Sequence, residues 1–273
     1  MILFFRKYLV KILLIVSIIT VIAGILFYTM EFMNPHILSK DFSSGQSWWL
    51  AYYSAENFNP LETWLFLMVS DLYSLIFGFF VYRQIKKNPS PQLSFLYLFI
   101  FTFSLQIIRL GYLLPQSSAF HIDKELITRI IYFSRLFALT AFFSTSLFST
   151  GLQIQKFNMV LLITVLLSFS MSIIIPLNTI ELTTSLLFRI AAEKSLALFC
   201  IALEILTAMN FFYAAIKQAR VEFYRLFLFS IMILNGYELM FFLYIPFLLP
   251  GSILLLAGTI LYIRTSQKMF LWA

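Results

Sequence analysis

Long apolar runs separated by short polar stretches set the pattern of this chain. Eight of them have membrane-crossing character, at residues 1–28, 62–82, 93–113, 126–149, 157–175, 193–215, 223–244 and 248–263. About 20 apolar residues let a helix cross the hydrocarbon layer, and a helix satisfies its own backbone there, so each run predicts a transmembrane helix. The expected fold is therefore all-α and polytopic: an N-terminal anchor helix at 1–28 followed by a seven-helix bundle over 62–273. In the anchor, Arg6, Lys7 and Lys11 precede ILLIVSIITVIAGILFY with no small-residue cleavage site after it, the pattern of an uncleaved signal anchor.

The stretch 29–61 is the longest polar interruption, with Glu31, Asp41, Glu56 and the turn-forming Ser43-Ser44-Gly45. Trp48, Trp49, Tyr52 and Tyr53 recur within it at helical spacing. Such a belt predicts an interfacial segment on the extracytoplasmic side, or an aromatic lid over a ligand. Thr183–Ala192 is expected to extend the sixth helix outward or to lie flat in the interface, with Arg189 and Glu193 as an i,i+4 pair. The uncharged run Ile245–Gly251 reads as the turn between the last two helices.

Charge then orients the chain. With the N-terminus in the cytoplasm, the inner ends hold Arg6, Lys7, Lys11, Arg83, Lys86, Lys87, Lys156, Lys217, Arg220, Arg225, Arg264 and Lys268. The outer loops hold only Lys40, Lys124, Arg189 and Lys194 among basic residues, beside eight acids. Twelve against four is a positive-inside asymmetry, so both termini are expected in the cytoplasm and the protein in a bacterial cytoplasmic membrane.

Ionisable residues inside the apolar runs carry the candidate chemistry. Six stand away from the membrane ends, the acids Asp71, Glu204 and Glu238 and the bases Arg109, Arg129 and Arg135. At about 1.5 Å per residue, Asp71, Arg135 and Glu204 fall roughly 13 to 17 Å deep, and Arg109 and Glu238 roughly 7 to 10 Å. An intramembrane charge must face protein or water and find a partner, so one buried polar cluster is expected, with Arg135 reaching Asp71 or Glu204. Ser74 and Gly78 share a face with Asp71; Thr102 and Gln106 share one with Arg109; Asn235 accompanies Glu238. Arg129 is shallower, within snorkelling reach of the headgroups. On the sixth helix Glu193, Ala197, Cys200, Glu204 and Thr207 form a seam of small and polar residues, which predicts a central position in the bundle.

Composition narrows the function classes. At 61% hydrophobic and 11% charged the chain is outside the soluble range, and membrane orientation explains the net charge of +7 without nucleic acid. The single Cys200 excludes an internal disulfide, and His36 and His121 have no metal-ligand spacing around them. No HExxH or GxSxG motif occurs, no cofactor or metal is expected, and an enzyme is the least favoured class. The few residues after Ile263 are too short for an output domain. Prolines lie in loops or at span ends rather than in paired broken helices, which disfavours common transporter architectures. Seven helices behind an outer segment are similar in layout to seven-helix bacterial receptor modules. The expectation is a sensor that responds to a small molecule at its outer face or within the bundle and acts through a membrane or cytoplasmic partner protein. The alternatives are a proton- or ion-coupled transporter of a small anionic solute and a structural subunit of a membrane complex.

Overall fold

A computed structural model of the chain describes residues 2–33, 60–87, 90–113, 123–183 and 185–271. The aromatic group at Trp48, Trp49, Tyr52 and Tyr53 and both histidines lie outside the described residues. Among the described residues eight α-helices follow one another: α1 (Ile2–Met33), α2 (Pro60–Lys87), α3 (Pro91–Leu105), α4 (Lys124–Ser149), α5 (Phe157–Ile174), α6 (Glu193–Gln218), α7 (Val221–Phe241) and α8 (Ile245–Leu271). Among the described residues seven helical stretches are long and apolar enough to cross a membrane, α3 counting together with the turns that follow it as far as Tyr112, and α7 is not among them. The all-α expectation holds, and seven of the eight expected spans meet the requirement of length and composition.

Local chemistry accounts for the helix ends. Proline is preorganised for the first helical position, and it opens α2 at Pro60 and α3 at Pro91. Glu62 in the first turn of α2 and Lys86 and Lys87 in its last complement the helix dipole. The Asp123 carboxylate accepts the Glu125 backbone N–H at 2.9 Å and so caps α4. The turn into α8 falls earlier than the sequence suggests, at Phe242–Tyr244 with Leu243 at φ 53°; most of the run read as a loop is the first turns of α8.

Helix α3 occupies the centre: 89% of its membrane-length window is buried, against 22% for α6. The expected centrality of α6 is therefore corrected. Its small-and-polar seam does face inward, with Cys200 and Thr207 each 1% exposed, yet Leu198, Ile201, Ile205, Met209 and Ile216 leave an apolar outer surface. Outer faces and core are equally apolar in a membrane protein, so such a seam marks one buried face and says nothing of how much else is covered.

Around the apolar core, the helices also meet through hydroxyl pairs and close backbone approaches. Thr140 meets Ser168 and Ser144 meets Thr164, both at 3.0 Å, along α4 and α5. Tyr73 of α2 reaches Thr259 of α8 at 2.7 Å, and the Trp64 indole N–H donates to the Gly24 carbonyl of α1 at 3.1 Å. Helices α7 and α8 press together at glycine. A Cβ on Gly236 would stand 2.8 Å from the Leu255 backbone nitrogen.

After α5 the chain forms a β-hairpin, β1 (Leu177–Leu182) with β2 (Phe188–Ile190), paired antiparallel in the register Leu177↔Ile190 and Asn178↔Arg189. An extended sixth helix does not form. Pro176 disfavours helical backbone at Ile175, and the two strands satisfy one another's backbone groups. The Thr183 N–H donates to the Leu187 carbonyl at 2.8 Å, with Leu186 at φ 55°. Leu186 and Leu187 at the tip are buried, so the hairpin dips into one end of the bundle.

Candidate functional site

Most of the buried charge gathers at that hairpin end. Beyond α3 the chain tightens into a 3-10 helix, Gln106–Leu113, which carries Arg109. Eight residues exceed the three or four usual for this conformation, a feature that often marks a hinge. The Tyr112 hydroxyl donates to the Lys124 carbonyl at 2.7 Å and touches the Thr128 hydroxyl, whose oxygen accepts the Phe188 N–H of β2 at 3.3 Å. The 3-10 segment, the start of α4 and the hairpin are thereby tied together.

Arg135 of α4 pairs with Glu238 of α7: Nη2 to Oε2 is 2.5 Å and Nε to Oε1 is 3.4 Å. This corrects the expected partner, Asp71 or Glu204. A depth scale counted from helix ends put Glu238 in a shallower layer, but an arginine side chain is long enough to bridge the difference. Glu204 of α6 neighbours both Glu238 and Arg135, and its Oε1 is buried without a hydrogen-bond partner. Two carboxylates thus face one guanidinium.

Arg109 is satisfied differently. Its side chain is 0% exposed, and Nη1 donates to the carbonyls of Phe241 at 2.9 Å and Ser185 at 3.2 Å. Phe241 ends α7, so its carbonyl is one of the orphan acceptors at the negative end of that helix dipole. The guanidinium carbons of Arg109 and Arg135 each stand 4.5 Å from the centroid of the Phe241 ring, within cation–π range. Nε and Nη2 of Arg109 have no partner. Arg129 repeats the theme on α5. It pairs with Glu125 at 2.7 Å and donates to the Ser172 and Ile173 carbonyls at 3.2 and 2.6 Å, in the last turn of that helix.

Asp71 stands apart from this group. Buried at the α1–α2 contact, it accepts the Thr20 hydroxyl at 2.9 Å, while its second oxygen and the Ser74 hydroxyl are buried without partners. Among the supporting residues, Gln106 donates to Ser134 at 3.4 Å and Thr207 donates to its own helix at Leu203. Asn235 is exposed rather than inward-facing, bonding the Ile231 carbonyl. Arg189 and Glu193 approach at 3.8 Å, as their spacing predicts.

Two cavities adjoin the charges. A larger one, about 660 Å³, is lined by Asn178, Arg189, Glu193, Lys194 and Ser195 among others. A smaller one, about 30 Å³, is bounded by Tyr132, Arg135, Ser185, Leu196 and Phe241 and shares Arg189, Ile190 and Glu193 with the first. It has room for one or two waters. Sequence reasoning missed Phe241 and Ser185. Phe241 was within reach, three residues after Glu238 and so on the same helical face. The role of Ser185 rests on a backbone carbonyl, which leaves no trace in residue type. Comparisons with protein-family models, with curated proteins and with solved structures found no match for this chain.

Proposed function

We propose that this chain is a receptor-like integral membrane protein whose hairpin end faces outward and is linked to an ion pair inside the bundle. The observation that carries the reading is the double contact of Arg109, which bonds the hairpin at Ser185 and the end of α7 at Phe241. Glu238 lies one turn back along α7 and holds Arg135 of α4. A polar solute in the 660 Å³ cavity beside Arg189 and Lys194 would press on the hairpin; displacing Ser185 would load the end of α7 and the Arg135–Glu238 pair. The change would pass to a partner protein, with both termini cytoplasmic in a bacterial inner membrane.

The link is testable without knowing the solute. Spin labels at Lys217 and Arg264, at the ends of α6 and α8 away from the hairpin, are expected to change separation when Arg109→Gln cuts the contact. An unchanged distance distribution in a folded variant would sink the receptor reading and leave a structural subunit. A transporter reading draws on one further feature, the partnerless oxygen of Glu204 beside the ion pair. It requires solute flux in proteoliposomes that Glu204→Gln abolishes.

A further inference from the structure

On the side of the ion pair away from the hairpin, α6 and α7 leave a groove of about 420 Å³ between them. Its walls are apolar, with Ala208, Met209 and Phe212 from α6 and Phe227 from α7, and Glu204 lies at its edge. Met209 and Phe212 are 59% and 43% exposed, so the groove belongs to the surface that would meet lipid. A carboxylate in such a place needs a compensating group. Arg135 already holds Glu238, Arg109 is engaged by two carbonyls, and Oε1 of Glu204 has no partner. What that oxygen lacks is a hydrogen-bond donor.

From these facts we infer that the α6–α7 groove docks a transmembrane helix of a partner protein that carries a lysine or arginine near its middle, opposite Glu204. Depth selects a helix over a lipid. Glu204 lies eleven residues into the 26-residue α6, close to its midpoint and to the bilayer centre. An amine headgroup would have to leave the interface to reach it, whereas a helix side chain is already there. A second copy of this chain does not fit. In the membrane-length windows of α1, α2, α5 and α8, the described basic residues all fall within four residues of an end, as Lys11, Arg83, Lys156 and Arg264 do.

This site deepens the receptor reading, since it is where that reading's partner would sit, but its test needs no outer ligand. Labelled full-length protein in phosphatidylcholine vesicles is titrated with a synthetic leucine–alanine transmembrane helix bearing one central lysine, and with the same helix bearing leucine there. Energy transfer is expected to report association about tenfold tighter for the lysine helix, with that preference lost in Glu204→Gln. Equal binding of the two helices, or a lysine preference that survives Glu204→Gln, overturns the proposal. So does displacement of the lysine helix by a long-chain amine at equal membrane concentration, which would make the occupant an amphiphile. Should Glu204→Gln not fold, Ala208→Phe fills the groove while leaving the charges in place. It is expected to abolish association, and undiminished association overturns the idea. Lysine-selective docking in a protein that fails the Arg109 label test would keep the docking site and remove the receptor reading; the opposite pair of results would do the reverse.

Discussion

An apolar core joins the helices throughout, but the polar contacts differ by region: guanidinium groups at the hairpin end, hydroxyl pairs and close glycine contacts through the remainder. Arg109 and Arg129 each donate to carbonyls in the last turn of a neighbouring helix, and Arg135 pairs with a carboxylate on another helix. Along α4 and α5, by contrast, Thr140–Ser168 and Ser144–Thr164 are neutral and short. A hydroxyl pair loses little when one member goes, because the survivor can turn to its own helix backbone. A buried charge has no such fallback. The two regions should accordingly fail in different ways.

The largest effect is expected at the ion pair. Arg135→Leu should cost about 3–5 kcal/mol, since it leaves Glu238 uncompensated, and adding Glu238→Gln should regain much of the loss. Reversible unfolding in mixed micelles measures this, and additive losses would show that the two residues do not act as a pair. Next comes Gly236→Ala. Its Cβ would meet backbone at 2.8 Å and 3.0 Å, so α7 and α8 must separate, at about 1–3 kcal/mol. Gly24→Ala should be milder by the same assay, because the atom in its way, Met68 Sδ at 2.6 Å, ends a flexible side chain.

Arg109→Leu provides the sharpest contrast with Arg135→Leu. It removes a charge compensated by carbonyl dipoles and a ring face, and it strands no carboxylate. A loss of up to about 2 kcal/mol is expected, the scale of a cation at a helix C-terminus, with faster hydrogen exchange in the hairpin. A loss equal to that of Arg135→Leu would mean that Arg109 neutralises a carboxylate after all. Smallest of all, Thr140→Val should cost about 0.6 kcal/mol, the average for a hydroxyl contact inside a membrane protein. A much larger cost would place the α4–α5 seam on a par with the charged end and erase the contrast.

Helix number, approximate helix bounds and the residues that must be buried for electrostatic reasons were all legible in the amino-acid order. They follow from local quantities: apolar run length, proline and acidic residues at helix starts, and the penalty for a charge in hydrocarbon. Who pairs with whom was not legible, since Arg135 meets Glu238 across 103 residues of chain. Nor was the placing of α3 at the centre and α6 at the edge, because hydropathy does not distinguish a lipid-facing side chain from a core one. The hairpin escaped notice for a different reason. Its strands are short, its tip is apolar, and its contact with Arg109 runs through a backbone carbonyl that every residue possesses. Such an acceptor gains meaning only when folding places it against a guanidinium with no carboxylate in reach.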